Sequence, residues 1–291
     1  MYNLVSPKVV KQLMMRHGVA FNKGLGQNFL IDRNILEKIV EAADIKTHDL
    51  VLEIGAGIGT LTRELAGRAE LVVSVEIDKR LFPILDETLS DCPNVRLVHG
   101  DILKLDIENL IRENFANRPF KIVANLPYYI TTPVLMTFLE KGLWFEVMVV
   151  MVQKEVARRL TASPGTEDYG LLSVAVQYYT CPTIVATASA KVFMPPPKVD
   201  SAIVMLKKRV APPVKLKEPE VFFRVVRAAF GQRRKTLLNA LAALETGGGD
   251  KQRMEHILRK CNIDPWIRGE LLSLQQFADI ANALVDCNIS F

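Results

Sequence analysis

From Phe29 to Ala43 the apolar residues Leu30, Ile35, Leu36, Ile39, Val40 and Ala43 recur at helical spacing, and Asp32 or Asn34 stands where an N-cap is needed. The period then changes. LVLEI (50–54) is a short apolar run ending in glycines, and the stretch after it, with Leu61 and Leu65 four residues apart, predicts a helix. Further strand-like runs follow at LVVSVE (71–76), VRLVHG (95–100), FKIVAN (120–125) and VMVVMV (147–152), each separated by enough chain for a crossover helix. LLSVAVQYY (171–179) and SAIVMLKKR (201–209) are read as the strands that complete the sheet. Apolar runs without strict alternation suit strands buried on both faces, so the expected fold is a mostly parallel seven-stranded α/β sheet.

The proline-bearing stretch KKRVAPPVKLKEP (207–219) reads as a linker, because paired prolines remove donors and favour extended chain. Beyond it the helical period takes over. Phe222, Val226, Ala229 and Phe230, then Leu237, Leu241 and Leu244, then Met254, Ile257 and Leu258, then Phe277, Ile280, Ala281 and Leu284 recur at three-four spacing, with Gly247–Gly249 as a loop among them. The chain is therefore expected to divide into an α/β domain, 1–210, and a small helical domain, 211–291.

Composition narrows the class. A hydrophobic fraction of 49% and a charged fraction of 24% are those of a globular protein. No segment has the unbroken apolar length of a membrane helix, and the basic, amphipathic start lacks the apolar block of a secretory signal. Cys92, Cys181, Cys261 and Cys287 are scattered, with no C-x-x-C pair, so neither a disulfide framework nor a metal site is expected, and a cytoplasmic location is. The net charge of +5 decides little by itself. Its concentration says more, in Lys207, Lys208 and Arg209 and again in Arg233, Arg234 and Lys235, clusters that are either solvated faces or candidate RNA-phosphate contacts.

The candidate chemistry sits at the ends of the predicted strands. Gly55, Gly57 and Gly59 form a G-x-G-x-G turn preceded by Glu53, whereas dinucleotide-binding turns run G-x-G-x-x-G. That spacing disfavours a nicotinamide oxidoreductase. A phosphate would be repelled by Glu53, while a cationic ligand with an amino group, such as S-adenosylmethionine, would be attracted. Glu76 ends the next strand, where a carboxylate can accept from ribose hydroxyls, and Asp101 follows the third, where it can accept from an adenine amine. Asn125-Leu126-Pro127-Tyr128 ends the fourth. An exocyclic aromatic amine is a poor nucleophile, so acceptors from Asn125 and the Leu126 carbonyl, oriented by Pro127, would hold it for attack, and Tyr128 would stack on the base.

The strings GLGQNFL (24–30), EIGAGIG (53–59), VEID (75–78), GDIL (100–103), NLPY (125–128), VFMPPPKVDSAIV (192–204), AFGQRRKTLLNAL (229–241) and IDPWIRGELLSLQQFADIANAL (263–284) carry a resemblance over nearly the whole chain. The sequence resembles the ribosomal small-subunit RNA adenine dimethyltransferases, with antibiotic-resistance large-subunit adenine methyltransferases as cousins. One departure is Ala56, where many relatives have Pro. The resemblance implies a Rossmann-like class I methyltransferase domain and a monomer. It implies N6-dimethylation of two adjacent adenines in the 3′-terminal hairpin of 16S rRNA, in the small subunit or its precursor. It also implies cofactor contacts from Gln27, Asn28, Leu30, Gly55, Gly57, Glu76, Ile77, Asp101, Ile102 and Asn125, and closure of Phe193 over the base opposite Tyr128. The alternatives are a large-subunit methyltransferase and an assembly factor that has lost catalysis. The intact glycines, acids and NLPY argue against the second.

Overall fold

The computed structural model describes residues 2–232, 234–243 and 250–287, and their contacts divide the chain into two units. The first comprises Met1–Ala157 and Cys181–Lys208, and the second Arg158–Thr180 and Arg209–Phe291.

The first unit opens with helix α1 (Pro7–Arg16), strand β1 (Phe29–Leu30) and helix α2 (Arg33–Ala43), whose N-cap Asp32 accepts from Ile35 N. An α/β alternation follows: β2 (Leu50–Ile54), α3 (Thr60–Ala66), β3 (Leu71–Glu76), α4 (Phe82–Thr88), β4 (Val95–His99), α5 (Ile107–Phe115), β5 (Phe120–Asn125), α6 (Thr131–Glu140) and β6 (Phe145–Gln153). After α7 (Lys154–Thr161) and α8 (Leu171–Tyr179) come β7 (Thr180–Ala188), β8 (Phe193–Met194) and β9 (Ser201–Lys208). Seven strands make one sheet in the order β4-β3-β2-β5-β6-β9-β7. Strands β2 to β6 pair in parallel and β9 runs antiparallel to β6. From β2 the chain winds outward through β3 and β4 on one side, then returns to β5 on the other. The β2–β5 boundary is thus the topological switch point, outside whose carboxyl ends open α/β sheets bind ligands.

Burial explains the strand sequences. Every residue of β2 is buried, as two-sided coverage requires. The apolar stripe of α2 (Ile35, Leu36, Ile39, Val40) packs in one cluster with Val51, Val123, Val149 and Ile203 of the sheet. A second cluster joins Val10, Leu13 and Met14 of α1 to Ile84 and Leu85 of α4.

The second unit carries α8 with α9 (Pro219–Gly231), α10 (Leu237–Ala242), α11 (Lys251–Lys260) and α12 (Leu274–Asp286). Its core is aromatic: Tyr178 meets Phe222 and Phe223, each at 5.4 Å between ring centroids, and Tyr169 meets Phe230, which meets Phe277.

Two expectations are corrected. LLSVAVQYY is helix α8, not a strand: Gly170 is its N-cap and donates its N–H to Ser173 Oγ, closing the first turn, and Val174, Ala175, Val176 and Tyr178 are all buried. So short and mostly apolar a run, broken only by Ser173 and Gln177, carries no period that separates a buried helix from a buried strand. The seventh strand is β7, passed over because Pro182 interrupts it; β7 ends the sheet order, and a sheet edge is where proline is tolerated. The unit boundary also differs from 210/211. It falls after Lys208, and Arg158–Thr180 belongs with the helical unit because the α8 aromatics pack on α9. Leu244 and Gly247–Gly249 lie outside the described residues.

Candidate active site

The carboxyl ends of β2, β3 and β5, with the segment after β4, open into one cleft of about 380 Å³. Gly55 and Gly57, from the turn after β2, line it. Gly57 adopts φ +59°, and a Cβ there would press on the Phe29 ring at 3.3 Å, so only glycine lets the turn pass beneath that ring.

Glu76, at the end of β3, is 5% exposed. Its Oε2 accepts from Gly57 N and its Oε1 from Asp78 N, each at 2.8 Å. Burial pushes its carboxyl pKa up, against the pull of those two amides. Ile77, Asp101 and Ile102 line the same cleft, and Asp101 Oδ1 accepts from Leu103 N at 3.0 Å.

A segment from the N-terminal side crosses to meet these strand ends. Gln27 Nε2 donates to Asp78 Oδ2 at 2.7 Å, while its Oε1 accepts from Asn22 N. The Arg80 guanidinium holds the Asp78 carboxyl below the usual range, so this anchor stays charged. Asn28 Nδ2 donates to Gly26 O, and the Asn28 carbonyl accepts from Asn125 Nδ2 at 3.1 Å. With its nitrogen spent there, Asn125 turns Oδ1, an acceptor, to other use. Leu126, Pro127 and Tyr128 line the cleft beside it. The Tyr128 hydroxyl is within 2.7 Å of Ser201 Oγ, and burial raises its pKa.

Three residues expected here lie elsewhere. Glu53 is fully buried, with Oε2 accepting from Ser74 Oγ at 2.6 Å and Oε1 without a partner. Burial pushes its pKa up to about 7, so it supplies no dependable charge to a cation in the cleft. Leu30 and Phe193 sit opposite each other in the β1–β8 pairing and are 4% and 2% exposed within the core cluster. Phe193 therefore props the strand that carries Phe29 and does not line the cleft.

The basic residues also separate. Lys207 is exposed. Lys208 donates Nζ to the Leu143 carbonyl and lies over the Phe145 ring, 5.0 Å from its centroid, and burial lowers its pKa. Arg209 donates Nε to the carbonyls of Gln177 and Thr180 at the end of α8. Arg234 and Lys235 are exposed, and Arg233 lies outside the described residues.

Sequence reading missed Gly26, Phe29, Asp78 and Tyr129. Tyr129 lines the cleft at 55% exposure, and its ring comes within 3.4 Å of where a Gly26 Cβ would sit. Gly26 and Asp78 were visible within GLGQNFL and VEID, but nothing local said that these two strings meet. Among the described residues no group of His, Cys, Asp and Glu side chains could hold a metal ion, and no helix is long and apolar enough to cross a membrane.

The family model for ribosomal RNA adenine dimethylase matches residues 18–285. The chain is 53% identical over 285 residues to ribosomal RNA small subunit methyltransferase A of Geobacillus thermodenitrificans, covering 97% of each. It is 49% identical over 284 residues to the protein of the same name from Clostridioides difficile, covering 98% of each. Among solved structures it is similar to a dimethyladenosine transferase from Plasmodium falciparum, with TM-score 0.76 and 26% identity over 89% of this chain and 98% of that one. It is also similar to the 23S rRNA methyltransferase ErmE, with TM-score 0.68 and 30% identity over 89% of this chain and all of the other.

Proposed function

Because the chain belongs to the ribosomal RNA adenine dimethylase family, a premise from which its chemistry as an S-adenosylmethionine-dependent methyltransferase follows, we propose that it dimethylates N6 of two adjacent adenines in the 3′-terminal hairpin of 16S rRNA. The observation that carries this reading is Asn125, whose nitrogen is tied to Asn28 while its oxygen is left to the cleft.

The residues present fit the cofactor. The glycine turn admits a close backbone approach, the buried Glu76 carboxylate is held at a strand end to accept from ribose hydroxyls, and Val75, Ile77 and Ile102 supply apolar walls for a nucleoside base. The bound cofactor supplies an electrophilic methyl group. Asn125 Oδ1 and the Leu126 carbonyl accept from the two N–H bonds of the target amine, and their dipoles stabilise the positive charge that develops on nitrogen. Tyr128, its hydroxyl held by Ser201, presents its ring to the flipped base. No strong base is required, because the amine proton becomes acidic only as the methyl is transferred.

RNA phosphates are assigned to Lys207 and, on the second unit, to Arg234 and Lys235 with Arg233. Lys208 and Arg209 are spent on carbonyls of the fold. The enzyme is read as a cytoplasmic monomer acting on the small subunit or its precursor. Action on large-subunit RNA is the second reading, supported by the likeness to ErmE at 30% identity, against about 50% for the small-subunit enzymes. Mass spectrometry of 16S and 23S rRNA from cells with and without the gene tests the choice. Loss of dimethyladenosine from the 16S hairpin is expected, and its loss from 23S rRNA alone would overturn the assignment.

A further inference from the structure

The second unit holds a surface that the methyl-transfer chemistry does not use. Trp266 is 57% exposed, on the loop after α11. That loop is fixed from several directions. Leu238 N donates to the Pro265 carbonyl at 3.0 Å and Leu237 N to the Ile267 carbonyl at 2.7 Å, so the two carbonyls flanking Trp266 are bound to the first turn of α10. Trp266 N donates to Asp264 Oδ1 at 3.0 Å, and Gly269 lies so close to α9 that a Cβ there would meet the Ala229 carbonyl oxygen at 2.9 Å. The indole is thus presented on a held backbone, at little further ordering cost on binding.

The stretches that meet here carry more cations than acids. The first turn of α10 directly follows residues 232–236, which carry the exposed Arg234 and Lys235, and the exposed Arg268 lies two residues beyond the indole. Among the described residues none of these three cations has a carboxylate partner. Of the loop's acids, Asp264 is exposed and accepts from the Trp266 amide, and Glu270 is half-buried, two carboxylates against three cations. An aromatic face among unpaired cations fits an unpaired nucleotide, whose base stacks while its phosphates meet the cations. A protein-docking hot spot also favours Trp and Arg, but it sits in a well-packed pocket, whereas this indole and its three cations stand exposed.

Resting on the reading of this chain as an rRNA methyltransferase, we propose that Trp266 is a stacking platform for an unpaired rRNA base, flanked by phosphate contacts from Arg234, Lys235 and Arg268. The test uses the full chain carrying Trp144→Phe, which removes the other tryptophan, a surface residue at 73% exposure, and leaves Trp266 as the only indole. A single-stranded RNA oligonucleotide of mixed sequence should quench its fluorescence saturably, and a blunt RNA duplex should not. In the otherwise native chain Trp266→Ala should weaken single-strand binding about tenfold without changing its salt slope, and Trp266→Phe should restore most of the loss. Arg234→Ala/Lys235→Ala should instead flatten the slope. Unquenched fluorescence with RNA bound, or unchanged affinity in Trp266→Ala while the chain still methylates rRNA, overturns the platform and leaves the enzymatic reading standing. A chain that neither binds nor methylates any RNA overturns both.

Discussion

At Asn125 the amide nitrogen is spent on the Asn28 carbonyl, 3.1 Å away, so the side chain has one orientation in which to offer its oxygen. Asn125→Ala should therefore lower kcat by on the order of 10²–10³-fold, the usual cost of losing one oriented group at a developing charge, with little change in KM for rRNA. Single-turnover kinetics at wild-type rate would remove Asn125 from the chemistry. Glu53 yields a prediction about stability. Its folded pKa of about 7 lies above the ordinary 4.5, so the folded state holds the proton more tightly than the unfolded chain. The stability linked to that proton is complete below about pH 4.5 and is lost as pH rises through 7. Glu53→Gln cannot ionise, so its advantage over wild type should grow between about pH 5 and pH 8, toward about 3 kcal/mol. Urea unfolding at both ends of that range checks the sign; a pH-independent difference would mean that Glu53 titrates normally.

The element that completes the cleft is the segment from Asn22 to Leu30, fastened on one bank by Gln27 to Asp78 and on the other by the Asn28 carbonyl to Asn125. Displacing it should disturb the cofactor site and Asn125 together. Asp78→Asn keeps the shape but weakens both the Arg80 and Gln27 bonds. It should reduce cofactor affinity roughly tenfold, about 1.4 kcal/mol, and lower kcat as well. Combining it with Gln27→Leu should cost no more than either change alone, because both release the same fastening; calorimetric affinities that multiply would show two independent sites. This element also marks where sequence reading stops. Glycines and acids at strand ends could be read because the α/β rule puts ligands there. Gln27 and Asp78 are 51 residues apart, and their bond depends on how the segment crosses the sheet. Phe193 shows the same limit from the other side, since a motif aromatic looks alike whether it faces a base or fills a core. The period reading failed in the mostly apolar α8 and the proline-bearing edge strand β7, where period is uninformative, and at Phe29–Leu30, which pair as β1 ahead of α2.

At the scale of the whole molecule, the excess charge of +5 is not a uniform coat. Lys208 and Arg209 are consumed by carbonyls of the fold, so the tail of β9 is a structural joint as well as a basic string. The joint matters because the second unit is assembled from two stretches of chain, Arg158–Thr180 and Arg209–Phe291. A break after Val210, where the sequence alone divides the chain, would not release an intact catalytic domain. It would strip α8 of α9, leaving Tyr178 without Phe222 and Phe223 and Tyr169 without the Leu272 carbonyl that its hydroxyl bonds at 3.0 Å. Each large side chain so exposed forfeits roughly 1.5–3 kcal/mol, a substantial share of a domain's net stability. A chain ending at Val210 should therefore bind anilinonaphthalene sulfonate strongly and melt well below the full chain, if it melts cooperatively at all. Removing 158–180 as well, with a short glycine linker joining Ala157 to Cys181, should restore a cooperative transition. A chain ending at Val210 that stayed dark to the dye and melted with the full-length midpoint would show that α8 does not depend on the C-terminal helices.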